Sequence, residues 1–335
     1  MRAAVVTGVG TVSVETVPDP TPGPRDVVIS VAGCGICGTD LHILGGQFAP
    51  SLPIVPGHEF AGEIVAVGAE VRARFGLAVG DRVAADPNQY CGECYQCRRG
   101  RGNLCENFAA VGVTLPGAAA EYVVAAAANC VKLPEGLAVS DAALIEPLSC
   151  SVHGFDVLPR DLGASYLIYG AGTMGLMNLE LAKRAGAGSV DVVEPNGERL
   201  GTARLLGCSS AATDAAELER PRGWDVVIDC TGVVAAIEDG LSRVAQGGHF
   251  LQFGVADMQA VARFNPYRVF REEITIVGSF AVQRSYERAA ALFFGGLLDP
   301  DVFISDRYPL AAYPAALDQV RRGIGRKVLV DPRLS

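Results

Sequence analysis

The sequence predicts an α/β chain with a doubly wound parallel sheet in its second half, behind an N-terminal domain that carries clustered cysteines. Three observations predict it. From residue 163 onward, apolar strand-like runs alternate with helical patterns. The first of these runs leads at once into G-x-G-x-x-G. Well before it, residues 91–105 hold four of the chain's ten cysteines, spaced C-x2-C-x2-C-x7-C.

A chain of 335 residues is long enough for two domains. Half of it is hydrophobic and 19% is charged, so it can bury a large core. The formal charge is -9 with no basic block, which argues against a nucleic-acid surface or a polybasic membrane anchor. The N-terminal stretch alternates like a strand and lacks the features of a signal peptide, and no apolar run is long enough to cross a bilayer. The expectation is a soluble cytoplasmic protein with neither a nucleic-acid nor a membrane partner. In a reducing cytosol, clustered thiols read as metal ligands rather than disulfides.

Taken in chain order, CGICGTDLH (34–42) and PGHEFAGEIVAVG (56–68) supply a cysteine, a histidine and a glutamate from two segments, the second opening an alternating strand. A catalytic zinc takes three protein ligands and keeps one open position. Cys37 and His58 are candidates for two of them. The third is Glu59 or Glu146, the latter opening a helical stretch in LIEPLSCSVHG. Cys34, Cys150, His153 and His249 read as structural. In the lobe 88–106, Cys91, Cys94, Cys97 and Cys105 can close a tetrahedron with no open position, so a zinc there is structural. Arg98, Arg99 and Arg101 would offset its charge.

Further on, Gly170, Gly172 and Gly175 sit between the apolar run YLIY and a helical pattern that begins with Thr173 and Met174. This context marks a dinucleotide-binding turn. The first glycine permits the turn, the second lets backbone approach a pyrophosphate, and the third lets the helix pack on the strand. The helix N-terminus then faces phosphate. The next strand ends at Glu194, placed to accept hydrogen bonds from ribose hydroxyls and to repel a 2′-phosphate, so NAD is favoured over NADP. Arg199 is placed to stack on adenine or reach a phosphate. Further strands are expected near 210–213, 224–232, 248–254 and 274–280, six in all. Their ends at Thr231, Gly254, Val255 and Ser279 would line the cofactor crevice.

Taken together, the GHE segment, the four-cysteine lobe, AEY (120–122), EPLS (146–149) and GAGTMG resemble the zinc-dependent medium-chain alcohol dehydrogenases over essentially the whole chain. The branch most similar is that of the polyol and sorbitol dehydrogenases, with threonine dehydrogenases as neighbours. The resemblance implies a Rossmann-type nucleotide domain beside a partly open, GroES-like β-barrel. It places the zinc-binding catalytic domain at 1–147 and 290–335, and the nucleotide domain at 148–289. It implies two zinc ions per chain, with Cys37 and His58 as ligands of the catalytic one. Glu59 would bind that ion directly or in turn with water, and Glu146 stands where many relatives have a second cysteine. Thr39 aligns with the hydroxyl residue that touches the substrate oxygen, and His42 with a proton-relay histidine. Gly38 replaces a basic residue that contacts pyrophosphate in some relatives. Homo-oligomers, dimers or tetramers, are the family habit. The activity implied is reversible oxidation of a secondary alcohol of a polyol, sugar or cyclitol, with an amino alcohol as the alternative substrate. A zinc-free reductase and a silent NAD-binding protein are disfavoured by the retained metal and site residues. Pocket walls are expected at 43–53, 107–117 and 265–271. Arg268, Arg271 and Glu272 in the last stretch are either substrate contacts or solvated helix charges.

Overall fold

A computed structural model describes residues 1–47 and 52–334. Part of the expected pocket wall at 43–53 therefore lies outside the described residues. The chain divides into two compact units, residues 1–149 with 282–335, and residues 150–281. No helix among the described residues is long and apolar enough to cross a membrane.

The second unit is built on a six-stranded, wholly parallel sheet. Spatially its strands run Ser210–Ala212, Ser189–Val193, Ser165–Tyr169, Trp224–Asp229, Val244–Gln252 and Thr275–Gly278. Helices Thr173–Arg184, Gly197–Leu205 and Val234–Ser242 make the crossovers between them. All five residues of Ser165–Tyr169 are buried, as expected where helices cover both faces of a parallel sheet. Leu167, Val227, Phe250 and Trp224 belong to one core cluster. The Trp224 indole N–H is satisfied by Asp191 Oδ2 at 2.8 Å. The apolar strand Val244–Gln252 is interior, and Thr275–Gly278 lies outside it at one edge of the sheet.

The first unit carries a mostly antiparallel seven-stranded sheet. Its long central strand, Asp26–Gly35, pairs with Glu59–Val67 on one side. On the other side it meets Tyr122–Ala126 at its start and Lys327–Asp331 at its end. Two register shifts between Asp26–Gly35 and Glu59–Val67 bend the pair. Inward residues Val27, Ile29, Val31, Phe60, Ile64 and Val83 form the core. The chain rejoins this unit at residue 282, ahead of the 290 expected from sequence. The cysteine lobe captures the returning segment: Tyr90 donates to the Val282 carbonyl at 2.7 Å, and Asn103 N–H donates to Gln283 Oε1 at 3.3 Å.

Beside that lobe, Asp86 Oδ1 accepts from both Asn88 N and Asn88 Nδ2 at 2.9 Å. Burial nonetheless pushes the Asp86 carboxyl up to about 6. An unfolded aspartate titrates near 3.9, so the fold loses stability as pH rises from about 4 to about 6 and the penalty is constant above that. Asp86→Asn should therefore raise the melting temperature at pH 8 and give no gain at pH 4. Leu167→Ala, at a position with 0% exposure, should cost about 2–5 kcal/mol. Urea unfolding followed by Trp224, the chain's single tryptophan, measures it in the same unit.

Candidate functional site

The four lobe cysteines come together. Their sulfurs all lie within 4.8 Å of one another, with Cys91–Cys97, Cys94–Cys105 and Cys91–Cys105 at 4.0, 3.9 and 3.5 Å. A regular tetrahedron with zinc–sulfur bonds of about 2.3 Å has edges of about 3.8 Å, so the sulfurs fit a zinc ion. Backbone amides are aimed at them: Cys94 N at Cys91 Sγ (3.3 Å), Cys97 N at Cys94 Sγ (3.5 Å), and Cys91 N and Asn107 N at Cys105 Sγ (both 3.3 Å). The amides of Glu93 and Cys94 pull the Cys91 thiol down to about 6, which favours the ligating thiolate. Of the nearby arginines, Arg99 places its guanidinium over the Tyr95 ring, 5.3 Å from its centroid.

A second cluster joins Cys37, His58 and Glu59, whose ligand atoms lie within 4.8 Å of one another. Cys37 is the N-cap of helix Gly38–Leu44, and His58 immediately precedes strand Glu59–Val67. Gly57 makes the approach possible. It turns at φ +95°, and a Cβ there would lie 2.5 Å from Cys34 Sγ and 2.7 Å from Ala119 N. Cys34 itself is buried core, as expected. Glu146 opens helix Ile145–Asp156 and is buried. Burial pushes its carboxyl up to about 7, and His58 opposes the shift. Burial disfavours the charged His58 ring, yet Cys37, Asp40 and Glu146 raise its pKa well above the ordinary value. The same thiol and acids that surround His58 are groups that could ligate a metal cation.

Sequence reasoning missed two members of this site. Asp40 is 1% exposed; its Oδ2 accepts from Cys37 N at 2.8 Å and its Oδ1 from Gly57 N at 3.2 Å, so it fixes both ligand-bearing turns. It also faces His58 Nδ1 at 4.0 Å, a nitrogen with no hydrogen-bond partner. Its position three residues after Cys37 was the available signal, a capping-box spacing. Lys327 gave no local signal. Its Nζ lies 2.6 Å from each oxygen of Glu59. Thr39 Oγ1 is 3.7 Å from Cys37 Sγ, and the His42 ring meets the Gln47 side chain.

In the second unit, Gly170 turns at φ +96°, and a Cβ on Gly175 would strike the Gly170 carbonyl at 1.8 Å. Gly172 caps the helix that Thr173 and Met174 begin, and a Cβ there would meet only Arg199 Nη1, at 3.9 Å. Glu194 is buried. Its Oε2 accepts from Ala171 N at 2.8 Å and its Oε1 from Asn196 N at 2.9 Å. Thr231 and Gly254 are drawn together by an unanticipated residue, Asp229. It is fully buried and accepts from Thr231 N, Thr231 Oγ1, Gly232 N and Gln252 Nε2 at 2.6–3.0 Å. Val255 is exposed, and Ser279 N donates to Gln252 O at 3.2 Å. Arg268 is committed elsewhere: it donates to the Leu241 and Val244 carbonyls and pairs with Glu272 at 2.9 Å.

These geometries meet their counterparts in known proteins. Residues 23–135 match the alcohol dehydrogenase GroES-like domain, and residues 173–294 match the zinc-binding dehydrogenase domain. D-arabinitol dehydrogenase 1 of Uromyces fabae is 37% identical, over 92% of this chain and 90% of that protein. The L-threonine 3-dehydrogenase of Aeromonas hydrophila is 34% identical, over 94% of each. A zinc-binding dehydrogenase of Sinorhizobium meliloti 1021, solved bound to NADP, matches with a TM-score of 0.93 at 34% identity, covering 99% of both chains. The two domain matches and these relatives make the chain an alcohol oxidoreductase. The chain belongs to the zinc-binding alcohol dehydrogenase family, on its polyol and threonine dehydrogenase side.

Asp40→Asn turns one acceptor into a donor that faces an N–H group. It should weaken retention of a metal ion at Cys37 and His58 about tenfold. Metal per chain, measured after dialysis against graded chelator, checks this.

Proposed function

We propose that the protein oxidises a secondary alcohol of a polyol, sugar or cyclitol reversibly, with NAD favoured over NADP and two zinc ions per chain. The observation that carries the reading is the convergence of half-buried Cys37 with buried His58 and Glu59, and Glu146 nearby, in a chain 37% identical to a D-arabinitol dehydrogenase. Cys37, His58 and the acids would hold the catalytic zinc, while Cys91, Cys94, Cys97 and Cys105 would hold the structural one. When bound, zinc supplies Lewis acidity that lowers the alcohol's pKa, and the nicotinamide supplies a hydride acceptor.

The chain's own residues position the substrate and move its proton. Thr39 lies beside Cys37 and presents a hydroxyl that can accept the substrate's proton. His42 is three residues further along the same short helix, on a neighbouring position, and passes the proton outward. In the other unit, Gly170, Gly172, Gly175, Thr173 and Met174 receive the pyrophosphate at the helix start, and Thr231, Gly254, Val255 and Ser279 line the cofactor. Each Glu194 oxygen keeps a lone pair for a ribose hydroxyl after accepting its backbone N–H. Its charge opposes a 2′-phosphate, whereas Arg199 beside Gly172 favours one, so the preference for NAD is a balance. The NADP bound by the Sinorhizobium protein shows that a relative of this fold accepts the phosphate.

An amino alcohol is the second reading, favoured by the 34% identity to L-threonine 3-dehydrogenase. Assembly as a dimer or tetramer and residence in the cytoplasm complete the proposal; light scattering of the purified chain tests the first.

Reduced-nicotinamide formation across polyols, cyclitols, aminocyclitols and threonine tests the function. Turnover with a polyol above that with threonine is expected, the reverse order moves the assignment to the amino alcohol, and silence across the panel overturns both. Glu194→Gln should shift the NAD-to-NADP ratio of kcat/KM toward NADP by about tenfold, or about 1.4 kcal/mol.

A further inference from the structure

Lys327 and Glu59 form a buried ion pair, 4% and 0% exposed, whose carboxylate belongs to the candidate metal cluster. Both Glu59 oxygens lie 2.6 Å from one ammonium, and the Ile36 carbonyl lies 3.3 Å from it, so three oxygens take up its three hydrogens. Strand register brings it there: Val330 faces Cys34, Leu329 faces Gly35, and Ile36 N donates to the Val328 carbonyl at 2.9 Å. Space is reserved for the acid as well, since a Cβ on Gly35 would lie 2.0 Å from Glu59 Oε2. One carboxylate thus serves two claimants, the lysine and whatever cation Cys37 and His58 hold.

We infer that Lys327 is a positioning residue that keeps Glu59 a weak, exchangeable ligand and so sets how readily the catalytic metal leaves and how open its coordination sphere stays. The physical reason is competition. A carboxylate oxygen that accepts an ammonium hydrogen at 2.6 Å is a poorer donor to a metal, and two cations on one carboxylate repel each other. Without the ammonium, Glu59 becomes a full anionic ligand, which would hold the metal more tightly and occupy the position a substrate oxygen needs. If Lys327 merely neutralised charge for folding, its loss would lower stability without slowing metal release. If it steered Glu59 onto the metal, its loss would speed release.

This inference rests on the metal reading of Cys37 and His58, and the test separates the two. Zinc transfer from the full-length protein to a chromophoric chelator is followed over time, with folding checked by thermal melts. The wild type should release two zinc ions per chain, one from each cluster. His58→Ala should remove one of these phases and so identify it. Lys327→Met should slow that phase by about tenfold or more and raise KM for the alcohol. Lys327→Arg, which keeps the charge, should stay near wild type. In a Glu59→Gln background, Lys327→Met should change nothing, because the carboxylate through which it acts is gone. Lys327→Gln keeps a donor for Glu59 without the charge and gives the same sign if the methionine variant does not fold. A folded variant with unchanged or faster release overturns the inference while the metal reading stands. A wild type holding only the lobe zinc overturns both.

Discussion

Buried negative charge is the constraint around which the first unit is built. Asp40, Glu59 and Glu146 lie in its interior next to a thiol, with a single buried lysine among them. An uncompensated buried carboxylate is too costly to keep, so each must be hydrogen-bonded, paired or coordinated. Burial alone would lower the pKa of Lys327, but Glu59, Cys37 and Glu146 together raise it, so the lysine stays charged. His58, whose pKa the same acids raise, is the other basic group that answers their charge. The remaining imbalance is what a divalent cation at Cys37 and His58 would relieve. The turn at Gly57, the missing side chain at Gly35 and the two backbone bonds to Asp40 are the local means by which the chain tolerates that imbalance.

Elsewhere the molecule handles anions differently. In the second unit, Glu194 is held by two backbone N–H groups, and Asp229 by two backbone and two side-chain donors. They act as staples: Glu194 ties the glycine turn to the end of the neighbouring strand, and Asp229 ties two strand-end loops together. The lobe cysteines form a third case, in which backbone amides point at sulfurs that already make a closed tetrahedron. Amide-satisfied anions give rigid scaffolding. Glu59 differs from these in being paired to an ammonium, while Asp40 beside it belongs with the amide-satisfied anions.

This division also explains what could be read from the sequence. The cysteine lobe and the glycine turn depend on contacts within fifteen residues or fewer, so spacing alone exposed them. The inner strands Ser165–Tyr169, Ser189–Val193 and Trp224–Asp229 were legible because strands buried on both faces are mostly apolar. Asp40 lay within a local pattern but looked like an ordinary first-turn helix acid. Asp229 looked like the end of a strand. Lys327 and Glu59 are separated by 268 positions, and only sheet register joins them. The place of Val244–Gln252 inside the sheet was likewise a matter of strand order, which apolar content does not encode.

That separation has a consequence for how the site is assembled. Cys37, Asp40, His58, Glu59 and Glu146 all precede residue 150, whereas their lysine arrives with the segment that rejoins the first unit at residue 282. Until strand Lys327–Asp331 docks beside Asp26–Gly35, Glu59 has no ammonium partner and the cluster is at its most negative. Contacts of long sequence separation form late, because the entropy of closing the loop must be overcome first. An early metal ion would therefore meet Glu59 as a full ligand, and docking of the final strand would loosen that grip. On the proposed role of Lys327, docking of the last strand would do more than close the sheet: it would leave Glu59 an exchangeable ligand.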